Sequence, residues 1–169
     1  MISKKNNITL IGMPGSGKST IGVVLAKVLG YQFIDSDLLI QEKEGKLLCE
    51  IINEKGNQGF QEIENEVNGS IMTSNSVIAT GGSAVYGDKA MEHLREISTV
   101  VYLRLSYEEI ESRLGDLKDR GVVLKENQTL LDLYKERTPL YEKYAHIIVD
   151  AEGLTIKELQ EKIRIQLEN

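Results

Sequence analysis

Five short runs of the chain read as β-strands: Ile8–Ile11, Gln32–Ile34, Val77–Ala79, Val100–Leu105 and Ile147–Val149. Several are nearly all apolar, the pattern of strands covered on both faces. Between them the period changes. After Ser19, apolar residues fall at Ile21, Val24, Leu25, Val28 and Leu29, the stripe of an amphipathic helix, and Gly30 follows as a stop signal. Ser106-Tyr-Glu-Glu109 and Thr155-Ile-Lys-Glu158 predict capping boxes that open two more helices. The last of these carries Ile156, Leu159, Ile163 and Leu167 on one face. Strands alternating with helices predict an α/β fold, a three-layer αβα domain around a five-stranded parallel sheet. The segment Gly115–Asn127 is charged, holds two glycines and has no clean period. It reads either as a surface loop or as a mobile lid over a bound nucleotide.

Composition narrows this picture without redirecting it. The 169 residues suit one domain with a substantial core, and 41% apolar with 27% charged residues is ordinary for a globular protein. The single Cys49 excludes an internal disulfide, fits a reduced cytoplasmic setting, and is expected as a small, partly buried apolar residue. Met1–Asn7 contains basic residues but no apolar run, so it does not read as a signal peptide. No stretch approaches the ~18–20 apolar residues of a membrane span, and no membrane partner is expected. The net charge of −6 argues against nucleic acid as a partner. It does not argue against ATP, because a few local cations set the potential of a cleft. A monomer is expected.

Chemistry enters with Gly12-Met-Pro-Gly-Ser-Gly-Lys-Ser19, which fits the P-loop pattern and lies between a predicted strand and an amphipathic helix. Glycines let successive backbone N–H groups converge on one anion, and the helix N-terminus adds its dipole. Lys18 supplies a point charge for the β- and γ-phosphates, and the Ser19 hydroxyl suits Mg²⁺. No Asn-Lys-x-Asp base-reading motif occurs, and Asp150-Ala-Glu-Gly153, which matches the Asp-x-x-Gly switch pattern, follows the last strand, far too late for a switch. The pattern therefore favours a kinase over a GTPase, and Asp150–Gly153 reads as a turn at the strand end.

The second strand runs into Asp35-Ser36-Asp37. Strand alternation would put both carboxylates on one side, facing the crevice where ligands bind in open α/β sheets. One carboxylate suits Mg²⁺ and the other suits proton acceptance from an attacking hydroxyl; the bland reading is a turn with a helix cap. Gly81 and Gly82 after the third strand permit close approach of a ligand to backbone, or simply a tight turn. Arg113, Arg120 and Arg137 are candidate anion ligands. His93 and His146 have no partner spacing that suggests chemistry.

Taken together, these segments resemble the shikimate kinases over nearly the whole chain. The P-loop, Phe33-Ile-Asp-Ser-Asp37, Gly56 to Glu64 with Phe60-Gln-Glu-Ile-Glu64, Val77-Ile-Ala-Thr-Gly-Gly82, Val101-Tyr-Leu103 and Arg137-Thr-Pro-Leu-Tyr141 occur in the family's order. The resemblance implies a P-loop domain of the nucleoside-monophosphate-kinase type with a lid at 115–127. It implies transfer of the ATP γ-phosphoryl group to the 3-hydroxyl of shikimate. Gly15, Ser16, Gly17, Lys18, Ser19 and Thr20 would hold the phosphates, with Ser19 on Mg²⁺ and Asp35 in its water shell. Asp37 would be the base, and Gly81 and Gly82 would border the acceptor. Arg113 would lie by the adenine, Arg120 would reach the transferring phosphate, and Arg137 would bind the acceptor's carboxylate.

Three departures touch acceptor recognition. Phe60-Gln61 stands where the family has Phe-Arg, leaving Gln61 as an uncharged substrate ligand. Gly81-Gly82-Ser83 replaces three glycines, and Arg120-Gly-Val-Val-Leu124 replaces Arg-Pro-Leu-Leu. Two other readings therefore stand beside shikimate kinase. One is a related kinase for another hydroxy acid or polyol. The other is a regulatory ATP-binding module without turnover, against which the presence of Lys18, Asp37 and Arg120 counts. Asp-x-Asp after strand two also suits a gluconate kinase, while the Gly-Gly segment and Arg137-Thr-Pro-Leu-Tyr141 point to shikimate.

Overall fold

The structure, a computed structural model, describes residues 5–115 and 125–169. Residues 116–124, most of the expected lid and Arg120 with it, lie outside the described residues. Five strands form one parallel sheet in the order β2-β3-β1-β4-β5: β1 Ile8–Ile11, β2 Gln32–Asp35, β3 Ser76–Ala79, β4 Thr99–Arg104 and β5 Ile147–Asp150. Leu10, Val77, Ile78, Val100, Val101 and Val149 are completely buried, which is why the middle strands read as nearly all apolar, whereas the edge strand β2 is only half-buried. Seven α-helices flank the sheet among the described residues: α1 Lys18–Leu29, α2 Ser36–Glu44, α3 Leu48–Asn68, α4 Asp88–Ile97, α5 Tyr107–Leu114, α6 Leu130–Tyr144 and α7 Ile156–Glu168. Because all strands run the same way, the segments that follow them emerge along one edge of the sheet.

The helices form where the sequence places their signals, with instructive differences. The face that α1 buries is Ile21, Gly22, Leu25 and Ala26, while Val28 is 47% exposed. Small residues let this face lie close on the sheet. A Cβ at position 22 would meet Phe33 Cε2 at 2.7 Å and Leu10 Cδ1 at 3.4 Å. The predicted stripe is thereby rotated, and Val28 turns outward. Thr155 and Glu158 form the full capping box, at 3.1 Å in each direction. Ser106 Oγ accepts from the Glu109 amide, but its own amide donates to Glu152 rather than to Glu109, so the second box is half formed. Cys49 is exposed rather than partly buried, because Ile51 takes the inward position in the first turns of α3.

Helix α3 is interrupted at Gly56, whose φ of 74° and ψ of 175° break the helical path. A residue with a Cβ rarely adopts that φ. The two halves of α3 pack with α2 around a small cluster of Ile40, Ile51, Phe60 and Val67, separate from the main core over the sheet. No helix among the described residues is long and apolar enough to cross a membrane.

Candidate active site

The loop after β1 turns through Gly15 (φ 81°) and Gly17 (φ 92°), and Gly17 caps α1. At Gly15 a Cβ would also press on Leu114 at 3.0 Å. Lys18 is buried, and its Nζ donates to the Gly12 and Met13 carbonyls, each at 2.8 Å, and to Ser16 Oγ at 3.3 Å. Burial pulls its pKa down to about 8, against the opposing charge of Asp37. An ammonium so poorly solvated is a strong ligand for an incoming anion.

Asp35 is the last residue of β2 and caps α2, its Oδ1 accepting from the Asp37 amide at 2.9 Å. Asp37 therefore belongs to the first turn of a helix, not to a continuing strand. The cap, rather than alternation, gathers the two acids. Asp35 Oδ2 accepts from Ser19 Oγ at 3.5 Å. Burial and the charge of Asp35 push the Asp37 carboxyl up to about 6, with Lys18 pulling the other way.

The turn after β3 is pinned to β1, since Thr80 Oγ1 donates to the Leu10 carbonyl at 2.8 Å. A Cβ on Gly81 would lie 2.8 Å from Asp37 Oδ1 and 3.0 Å from Glu64 Oε2. On Gly82 it would lie 2.9 Å from Arg137 Nη1 and 2.7 Å from Pro14 Cδ. The two glycines are thus the floor on which three ionisable groups converge. Ser83 Oγ donates to Glu64 Oε1 at 2.6 Å.

Arg137 projects from α6 and is almost wholly buried. Its Nε donates to Tyr86 Oη at 3.3 Å, and its guanidinium carbon lies 5.4 Å from the Tyr86 ring centre. The Tyr86 hydroxyl in turn donates to Glu136 Oε1 at 2.6 Å. One turn along α6, Tyr141 Oη donates to the Gly82 carbonyl at 2.6 Å, and its ring stacks on Tyr102 with centres 5.1 Å apart. The run Arg137-Thr-Pro-Leu-Tyr141 therefore serves one face of the helix: a cation and an anchor for the glycine turn, four residues apart.

These groups border one cavity of about 340 Å³, onto which Lys18, Ser19, Asp37, Glu64, Gly82 and Arg137 open together. Two expected residues lie elsewhere. Gln61 lines a neighbouring cavity with Asn57, Tyr86, Gln128 and Glu136. Arg113 donates to Glu109 at 2.8 Å and to the Gly15 carbonyl at 3.3 Å. It borders a third cavity, of about 210 Å³, between the P-loop and the turn after β5. His93 bonds the Ile71 carbonyl and His146 Nδ1 accepts from the Val100 amide, so both have main-chain roles. Glu64, Ser83, Tyr86 and Tyr141 were not foreseen as site residues. Tyr141 had a signal in its spacing from Arg137; Tyr86 had none.

A family model described as shikimate kinase matches residues 14–168. The chain belongs to the shikimate kinase family. A shikimate kinase of Clostridium botulinum (strain Eklund 17B / Type B) is 41% identical over 161 residues, which is 95% of this chain and 96% of the relative. One from Thermodesulfovibrio yellowstonii is 39% identical over 160 residues, covering 93% and 92%. Among solved structures, the Acinetobacter baumannii shikimate kinase in complex with shikimate superposes with a TM-score of 0.86 at 35% identity, covering 96% of this chain and 92% of that one. Family membership thus extends across the sheet, the P-loop and the glycine turn alike.

Proposed function

We propose that this shikimate kinase family member moves the γ-phosphoryl group of ATP to the 3-hydroxyl of shikimate through the groups gathered in the 340 Å³ cavity. The observation that carries the reading is that phosphate ligand, base and carboxylate ligand open onto one space. The amides of residues 15–20 and the N-terminus of α1 cradle the phosphates. Lys18 exchanges its carbonyl partners for the β- and γ-phosphates. The adenine lies in the cavity walled by Ile21, Leu154, Leu159 and Arg113.

The metal fits the donors present. Ser19 and Asp35 place a hydroxyl and a carboxylate oxygen side by side, the hard oxygen ligands that Mg²⁺ takes alongside phosphate and water. When bound, the ion offsets charge on the phosphates. Asp37 accepts the proton of the attacking hydroxyl. The acceptor's hydroxyl oxygen forms the bond to the γ-phosphorus as the bond from that phosphorus to the ADP oxygen breaks. Arg137, held against Tyr86, faces the acceptor's carboxylate. The test is ADP release with shikimate and with a panel of hydroxy acids and polyols, with the product's phosphorylated position assigned by NMR. ATP turnover indifferent to shikimate would overturn the reading.

A further inference from the structure

Among the described residues, Glu64 is the one acid of the cavity to which the transfer chemistry gives no task. It is 2% exposed, and its carboxyl is only half accommodated. Oε1 accepts from Ser83, while Oε2 is buried with no hydrogen-bond partner among the described residues. The unpartnered oxygen points at the glycine turn, 3.0 Å from where a Gly81 Cβ would stand, beside Asp37 Oδ1. A buried carboxylate with one idle oxygen is unfavourable, and a carboxylic acid aimed at a ligand is not.

Among the described residues, the charged groups that face Glu64 are Asp37 from α2 and Arg137 from α6, and they oppose each other. Burial is the larger influence and, with Asp37, pushes the carboxyl up to about 7; Ser83 and Arg137 pull it back. The family's arginine at position 61 would add a cation one turn from Glu64. Here Gln61 supplies none, and it lines a different cavity.

We infer that the acceptor binds to the form of the enzyme in which Glu64 carries a proton, Oε2–H donating a hydrogen bond to an oxygen of the acceptor. This rests on the reading of the cavity as the acceptor site. The logic is electrostatic. An acceptor with a carboxylate meets the cation Arg137, and Asp37 must stay ionised to act as base. A second carboxylate at Glu64 would repel the ligand and offer no donor. A neutral acid offers a donor and adds no charge, the division of labour between paired acids seen where environments push their pKa values apart. Glu64 is neutral below its raised pKa, so affinity for the acceptor is high there and falls as pH rises through about 7.

The experiment is calorimetric titration of the wild-type chain and Glu64→Gln with shikimate, from about pH 6 to about 9, with ADP titrations alongside. Wild-type affinity is expected to fall about tenfold per pH unit above the Glu64 pKa, with uptake of about one proton per shikimate bound, read from buffers of different ionisation enthalpy. Glutamine keeps the donor and cannot titrate, so Glu64→Gln is expected to flatten the profile and abolish the proton uptake, with ADP binding unchanged as the check on folding. A flat wild-type profile overturns the inference, as does a slope that survives in Glu64→Gln or a variant that loses shikimate at every pH while still binding ADP. Wild-type protein that binds ADP but no shikimate at any pH removes the acceptor reading itself, and this inference with it.

Discussion

Asp37 and Gly81 show how little separates a working site from a damaged one at the scale of the residue. Asp37→Asn keeps shape and burial but removes both the charge and the proton acceptor. We expect kcat to fall by about 10²–10⁴-fold with a smaller change in the KM for ATP, measured by steady-state kinetics. An unchanged kcat would relieve Asp37 of the role of base. Gly81 acts through what it lacks. A methyl group there would stand 2.8 Å from Asp37 Oδ1 and 3.0 Å from Glu64 Oε2, inside contact distance. Carboxylate ends can swing aside, so the cost falls on position rather than on the fold. Gly81→Ala should impair kcat and the KM for shikimate while leaving the affinity for ADP, measured by titration, near wild type. If ADP binding falls in parallel, the turn supports the P-loop rather than the acceptor groups. Among single residues the P-loop was plain from spacing, because its chemistry is local in sequence. The task of Glu64 at the acceptor is not legible in its motif, since burial of one oxygen is invisible in a string of letters.

Elements decide which of these groups meet. Arg137 and Tyr141 share a face of α6, so a single helix both presents the cation and fixes the Gly82 carbonyl. Tyr86, from the short 3₁₀ turn Ala84–Tyr86, braces Arg137 through its ring and hydroxyl. Tyr86→Phe retains the ring and loses the oxygen. The KM for shikimate should then rise about 2- to 10-fold, the worth of one hydrogen bond of about 0.5–1.5 kcal/mol, with kcat for bound substrate and the KM for ATP little altered. A selective fall in kcat would instead place Tyr86 in the transfer step. The sequence disclosed the helices through caps and stripes, yet two details depended on packing. Val28 faces solvent because Gly22 and Ala26 set the depth of α1, and Asp37 reaches the cavity because Asp35 stops the strand by capping α2. Neither a small residue's packing partner nor a cap that overrides alternation can be read from local periodicity alone.

For the whole molecule, the nucleotide and acceptor sides rest on different foundations. The P-loop grows directly from β1 in the centre of a sheet whose middle strands, β3, β1 and β4, are buried almost throughout. Those strands were legible because burial on both faces leaves an apolar run. The acceptor side leans on α2 and α3, which enclose only the small cluster of Ile40, Ile51, Phe60 and Val67, with α3 broken at Gly56. That arrangement was not legible, because a helix interrupted by one left-handed glycine has neither a clean period nor a stop. Regions with few buried apolar contacts open at lower free energy than the core. Amide hydrogen exchange across α2 and the first half of α3 should therefore be faster than across β1, β3 and β4. A ligand that bridges Asp37 on α2, Glu64 on α3 and Arg137 on α6 ties the small cluster to the rest of the chain, and binding of that kind stabilises the state that holds it. Saturating shikimate should accordingly slow exchange in α2 and α3 more than saturating ADP does, whereas ADP should act first on the P-loop and the start of α1. Equal protection of both regions by either ligand would mean that the two sides open together, and that the separate cluster under α2 and α3 confers no independence on the acceptor site.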